Sequence, residues 1–334
     1  MILVTGGLGF IGSHIVLSLL AQRQEVVIVD NLANANLQTL ERLEYIAQMY
    51  IPFVKIDIRN TPALNKVFEQ YSIDVVINCA GFKSVEESNL KPLEYYNDNV
   101  SCIMSLLRAM QRTGVRSFIH LSSLMVYGKS SLELNEETEH NYTYPNPYIK
   151  SQQMIEEIIK DTFNTDQEWK MAVLRISNVV GAFEHGILGE FISPLPKNIV
   201  PMILQVASQQ RDLIEVQRFA NTNDHTTERS FVHVLDVCEA VKASLSWLEE
   251  QGNVLECFDI GGPVSSIHNL IQTIEEATQT QINQINADFK NIELDQVAST
   301  SKKASEILKW NAQRTIKQMI EDEWRFYQNT LNNR

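Results

Sequence analysis

Four cysteines in 334 residues are too few for a disulfide scaffold. Cys79, Cys102, Cys238 and Cys257 lie in apolar runs without Cys-x-x-Cys or metal-ligand spacing, and read as reduced thiols of a cytoplasmic protein. Positive charge is also scarce: 28 Lys and Arg face 41 Asp and Glu, giving a formal net charge of −13. No basic stripe can neutralise a phosphate backbone, which argues against nucleic acid as a partner. Long apolar runs are missing, so no segment reads as a membrane span, and no leader is expected ahead of the first strand. His120, His185, His225 and His268 lack a nearby pattern of cysteine or carboxylate ligands, so no metal is expected. What remains, at 44% apolar and 21% charged residues, is the composition of a globular protein.

Glycine is sparse as well, yet four of the thirteen fall within residues 6–12. The apolar strand Ile2-Leu3-Val4 runs into Thr5-Gly6-Gly7-Leu8-Gly9-Phe10-Ile11-Gly12-Ser13-His14. Gly6, Gly9 and Gly12 permit a tight turn, close approach to a pyrophosphate and close packing of the next helix on the strand. That helix, roughly 11–22, aims its positive end at the phosphates. A second strand, Glu25–Val29, then ends in Asp30, the acid such a site places on the adenosine ribose. A carboxylate there repels a 2′-phosphate, and no arginine stands at 31–36 to hold one, so the expected cofactor is NAD rather than NADP.

Apolar strands alternate with helical patterns through the first half. Strands are expected at 52–56, 74–78, 117–121 and 171–176, with helices near 37–49, 61–70, 91–113 and 147–163. This rhythm is that of an α/β fold with a Rossmann-like, doubly wound parallel sheet. The rhythm breaks over 183–230, where loops dominate. A helix near 233–250, a strand at 256–260 and two C-terminal helices complete the chain. The expected division is a dinucleotide-binding domain over 1–177, with the strand at 256–260 returning to it, and a smaller α/β lobe over 178–334. That lobe is expected to cover the carboxyl edge of the sheet, where ligands of such sheets bind.

Two segments can carry chemistry to that edge. One is Ser122-Ser123 at the end of an apolar strand; the other is Pro147-Tyr148, opening a helix. Alone, these hydroxyls could be satisfied strand ends and surface aromatics. In company with Ala80-Gly81-Phe82-Lys83, Lys91-Pro92-Leu93-Glu94-Tyr95-Tyr96, Asn178-Val179-Val180-Gly181-Ala182 and Phe231-Val232-His233-Val234, the chain resembles the extended short-chain dehydrogenase/reductase family. Within that family it is similar to the UDP-hexose 4-epimerase branch over nearly its whole length. The resemblance implies NAD-dependent epimerisation at C4 of a UDP-hexose, plain or N-acetylated, through a 4-keto intermediate. It makes Tyr148 the base and Ser123 its hydrogen-bonding partner. It lines the cofactor site with Phe10, Ile11, Asn31, Asn34, Asp57, Ile58, Cys79, Ala80, Gly81, Lys83, Asn99 and Gln152. Lys83, Ser123, Asn178, Asn198, Ile199, Arg229, Lys290 and Glu293 would meet the UDP-sugar, and Val297 would leave room for an N-acetyl group. It also implies a homodimer paired through the helices near 91–113 and 147–163.

Several positions depart from the family pattern, among them Ser230, Gln217 and Lys290–Glu293 on the substrate side, and one departure falls in the catalytic motif. In Tyr-x-x-x-Lys the lysine stands one helical turn after the tyrosine, and here that residue is Gln152. Lys150 lies two residues after Tyr148, elsewhere on the helix surface. Glutamine can hydrogen-bond a ribose but brings no charge. A cation beside a phenol is worth ~1–3 pKa units, so its loss thins the phenolate at neutral pH about 10- to 1000-fold. Two readings follow: an epimerase of reduced turnover, or a subunit that binds NAD and a nucleotide sugar without turning them over. Retention of Ser123, Tyr148 and Asn178 favours the first. Leu124-Met125 after Ser123 supplies no acid, which argues against a 4,6-dehydratase.

Overall fold

The computed structural model describes residues 1–192, 196–218, 221–287 and 294–332. Its main sheet begins with β1 (Ile2–Thr5), β2 (Val26–Asp30), β3 (Phe53–Lys55), β4 (Val75–Asn78) and β5 (Ser117–Ser123), joined by helices that include α1 (Phe10–Ala21), α2 (Leu37–Ala47) and α3 (Thr61–Gln70). Strands Lys170–Ile176 and Val254–Ile260 extend it beyond β5. All seven strands are parallel, with β3-β2-β1 on one side and β4-β5-(170–176)-(254–260) on the other. The order reverses between β1 and β4, and a crevice opens there at the carboxyl ends of the strands.

Both faces of the sheet are covered, which is why its strands read as unbroken apolar runs. Alternate side chains go to opposite faces. Leu3, Val27 and Val76 pack with Leu64, Phe68, Leu106 and Trp169. Val4, Ile28, Ile77 and Ile119 pack with Ile15, Val16, Val237 and Val241. The helix expected near 91–113 is not uniform: Pro92–Tyr95 and Ser101–Thr113 are α-helical, with a π-helical turn at Tyr96–Val100 between them. The widened turn directs Asn99 into the interior, where it is 3% exposed.

Beyond residue 176 the chain builds shorter, mixed pairings. Glu228–His233 is bordered by Val264–Ser266, Gln296–Ser299 and Asn178–Val180, and Ile214–Gln217 pairs with Gln284–Ala287. Their core gathers Val200, Ile203, Leu204, Phe231, Leu270, Ile271, Met319 and Phe326. Among the described residues no helix is long and apolar enough to cross a membrane.

Candidate active site

The glycine loop is shaped by contacts that admit no side chain. Gly6 has φ +66°, and a Cβ there would stand 2.8 Å from the backbone nitrogen of Ala80. A Cβ on Gly12 would lie 2.2 Å from the Gly6 carbonyl oxygen, and one on Gly9 3.2 Å from the same atom. Helix α1 therefore starts hard against the end of β1, capped at Gly9 by no side chain. The N–H groups of Phe10, Ile11 and Gly12 in its first turn are thus offered to an anion.

A cleft opens from this loop. Gly6, Gly9, Asp30, Asn31, Asn34, Asp57, Ile58, Cys79, Ala80 and Gly81 line it, as do Arg59, Phe82 and Cys102. Asp30 is fixed by its own strand end: its carboxylate accepts the Leu8 N–H at 3.1 Å and the Leu32 N–H at 2.8 Å. Burial raises its pKa even so. Asp57, bound by the Arg59 guanidinium, is held down to about 2 and carries full charge. Arg59 also bonds Asp98. A cradle that any Cβ would fill, a helix N-terminus free of side-chain caps and a carboxylate at the second strand fit an adenine dinucleotide without a 2′-phosphate.

The second part of the site lies where β5 meets the helix Pro147–Phe163. Asn146 caps that helix by accepting the Ile149 N–H, and its amide donates to Val85 O at 3.1 Å. These bonds fix the first turn and with it Tyr148, which is 8% exposed among Phe82, Val85, Tyr95, Met125 and Tyr144. Burial in this apolar cluster raises the Tyr148 pKa, and a hydrogen bond from Ser123 lowers it. Ser123 Oγ accepts the Met125 N–H at 3.2 Å, which leaves its O–H to donate to the tyrosine oxygen. Phe82 touches both groups of residues, placing Tyr148 beside the cleft. Gln152 follows one turn later, 7% exposed, with Oε1 lacking a hydrogen-bond partner.

Not every residue expected at the site is free to meet a ligand. The Asn99 amide is occupied: Oδ1 accepts Phe82 N–H at 2.8 Å, and Nδ2 donates to Phe82 O at 3.1 Å and Ser151 Oγ at 3.0 Å. It ties the cleft wall to the Tyr148 helix instead. Lys83 Nζ donates to Glu190 Oε1 at 3.0 Å, and Asn198 donates to the same carboxylate at 2.9 Å. Ile199 opens the helix Ile199–Ala207 behind Asn198, and Asn178 is exposed on its short strand. The Arg229 guanidinium, 9% exposed, donates to the carbonyls of Glu228, Leu294 and Asp295. Val297 is packed at 4% exposure with Tyr127, Leu134 and Leu294 rather than facing open space. Lys290 and Glu293 lie outside the described residues.

Two features carried no signal in the sequence. Glu190, in a loop, becomes the shared anchor of Lys83 and Asn198. His120, inside the apolar run of β5, is 2% exposed directly behind Gln152.

The glycine loop, Asp30 and the Ser123–Tyr148 pair thus form one site at the switch point of the sheet. A family model described as the NAD dependent epimerase/dehydratase family matches residues 2–261. The chain belongs to that family. Among its members, a UDP-glucose 4-epimerase of Neisseria meningitidis serogroup A is 36% identical over 99% of this chain and 98% of its own length. UDP-glucose 4-epimerase 2 of Arabidopsis thaliana is 35% identical over 98% and 95%. The crystal structure of the Bifidobacterium longum UDP-glucose 4-epimerase, in complex with NAD+ and UDP, superposes with a TM-score of 0.95. It shares 31% identity and covers 100% of this chain and 99% of that one. The NAD-dependent epimerase/dehydratase family takes NAD as its cofactor, and the cleft described above is shaped for it.

Proposed function

We propose that this protein epimerises a UDP-hexose at C4, with Tyr148 as the acid–base group and Gln152 standing where the family carries a lysine. The observation that carries the reading is the buried Ser123–Tyr148 hydroxyl pair beside the Gly6–Gly12 cleft. The whole-length likeness to UDP-glucose 4-epimerases supports it.

When bound, NAD supplies a hydride acceptor and gives the hydride back, so the reaction is net isomerisation. The chain's residues handle the proton. Tyr148 takes the proton of the sugar 4-hydroxyl at its phenolic oxygen, and Ser123 stabilises the anionic form by donating its O–H. Gln152 donates a neutral hydrogen bond toward the nicotinamide ribose and leaves the phenol without a cation. Asp30 holds the adenosine ribose. By resemblance Asn178, the Glu190-anchored pair Lys83 and Asn198, and Ile199 at the head of its helix would meet the UDP-sugar. Arg229 would do so once its guanidinium turns from the carbonyls of Glu228, Leu294 and Asp295. Lys290 and Glu293 are given the same role on sequence alone. The substrate is UDP-glucose/UDP-galactose or the N-acetyl forms.

Incubation of the purified protein with UDP-galactose, and separately with UDP-N-acetylgalactosamine, should yield the gluco isomer of at least one. Tyr148→Phe should slow that conversion about 10²- to 10⁴-fold while NAD stays bound. No conversion by an NAD-loaded protein would refute the reading and leave a binding subunit.

Homodimerisation is part of the proposal. Leu93 and Met154 are 78% and 47% exposed on the helical surface that carries Tyr96 and Val100. Pairing would remove that apolar surface from water. Sedimentation at micromolar concentration should give twice the 38.1 kDa chain mass, and a single monomeric species would count against pairing.

A further inference from the structure

A line of buried polar groups crosses β1, β4 and β5 and ends at Gln152. Thr5 Oγ1 donates to Asn78 Oδ1 at 2.6 Å, which turns the Asn78 amide nitrogen toward β5. That nitrogen donates to His120 Nδ1 at 3.0 Å. An Nδ1 that accepts carries no proton, so the neutral ring bears its hydrogen on Nε2. The His120 Nε2 atom has no partner in strict hydrogen-bond geometry, and neither has Gln152 Oε1. Ser122 Oγ donates to Glu156 Oε1 at 2.6 Å between the same strand and helix, and His120 and Gln152 stand one step back on the same faces of each, where the amide acts on the basicity of the ring. One of these orphans is a donor, the other an acceptor, and both are buried at a cost that pairing would remove.

The ring stays neutral in this setting. Burial lowers the His120 pKa to about 4. The nearby carboxylate, Glu156, is taken up by Arg175 Nη2 at 2.6 Å and Ser122 Oγ at 2.6 Å. Across physiological pH, His120 therefore presents one fixed N–H.

We infer that His120 is a positioning residue: by donating Nε2–H to Gln152 Oε1, it orients the amide so that the NH₂ group, not the oxygen, faces the cofactor side of the site. A lysine needs no such orientation, because every N–H of an ammonium is a donor. Glutamine presents either a donor or an acceptor, and the histidine decides which. The inference rests on the proposed role of Gln152 beside the nicotinamide ribose, and extends it to a residue that reaches no ligand.

Two measurements test it on the NAD-loaded protein. The first is nitrogen-15 NMR of labelled histidine, with the His120 signal among seven assigned by its loss in His120→Phe or, should that variant not fold, His120→Gln. The ring should be neutral with the proton on Nε2, and the Nε2–H resonance should move upfield in Gln152→Met, which removes the acceptor. An Nδ1–H tautomer, or an Nε2–H signal indifferent to Gln152→Met, would overturn the proposal. The second is NAD affinity in a double-mutant cycle. His120→Phe should weaken NAD binding about tenfold in the natural background, the scale of one hydrogen bond. In the Gln152→Lys background the same change should cost less than about threefold. Equal losses in both backgrounds would reduce His120 to a core residue. Neither readout depends on turnover, so an absence of epimerisation would refute the proposed function without touching this result.

Discussion

Around Gly6–Gly12 the site is made of backbone, whereas around Tyr148 it is made of side chains that reach it from distant parts of the chain. The first region works by exclusion: at Gly6 and Gly12 a Cβ would collide with backbone, and at Gly9 it would crowd the Gly6 carbonyl. The second works by partnership: Ser123 on β5 bonds the Tyr148 phenol, and Asn146 caps the helix that carries Tyr148. A site of the first kind tolerates no addition, and its loss is abrupt. A site of the second kind can be retuned one partner at a time, and the Gln152 proposed to stand in place of a lysine would be such a retuning.

The largest expected effect breaks the backbone region. Gly12→Ala puts a Cβ within 2.2 Å of the Gly6 carbonyl, and backbone cannot swing aside as a side chain can. Overpacking of this kind costs about 1–3 kcal/mol of stability. NAD affinity should fall by about a hundredfold or more, equivalent to roughly 2.7 kcal/mol. Calorimetric titration and thermal melting check both, and a variant that keeps its NAD would show that the cradle yields to a methyl group.

A smaller change should sharpen the side-chain region. The Tyr148 phenol is pushed up by burial and receives only the neutral Ser123 hydrogen bond against that push. Activity that depends on the phenolate should therefore still be rising with pH above neutrality. Gln152→Lys places a cation one helical turn away. The rising limb should move down by about 1–3 pH units, with turnover at neutral pH up about tenfold or more. A pH profile of kcat for both proteins decides the matter, and an unmoved limb would remove charge at this position from the account.

How much of this was legible in the sequence follows the same division. Strands buried on both faces announce themselves as runs such as Ile2–Val4 and Val26–Val29, and a loop that needs glycine shows its glycines. The dinucleotide cleft and the seven-stranded sheet were therefore readable, apart from the π-helical turn at Tyr96–Val100, which no local pattern marks. Partnerships between distant residues leave no periodicity. Nothing near Lys83 points to Glu190, and nothing near Arg229 shows that its guanidinium would be taken by the carbonyls of Leu294 and Asp295. His120 was visible only as a polar residue in an apolar run, a pattern shared by many satisfied core histidines.

The smallest expected effect lies at the edge of the site, where Glu323 accepts the Gly181 N–H at 3.0 Å. Burial, with the Glu190 charge nearby, raises its pKa from 4.5 to about 8. The folded state thus keeps a proton that the unfolded chain has released through this window. Its stabilising contribution is complete below about pH 4.5 and is lost as pH rises through 8. Glu323→Gln keeps an acceptor for Gly181 and removes the titration, so its melting temperature relative to the natural protein should climb between pH 6 and 9, by about 2 °C. Parallel melting curves across that range would show that Glu323 does not titrate there.

The outer strand Val254–Ile260 has a consequence for how the molecule comes into being. It brings Asp259 to the buried Tyr127 hydroxyl at 2.8 Å, across 132 positions of chain. Between them the chain adds Lys170–Ile176 to the main sheet, leaves it to build the elements that carry Asn178 and Arg229, and then returns to it. As the polypeptide is synthesised, the sheet gains its last strand only after the elements that carry Asn178, Asn198 and Arg229 have been made. Closing so long a loop is a slow event. The nascent protein must therefore hold an unfinished parallel edge at Lys170–Ile176 until Val254–Ile260 has been made.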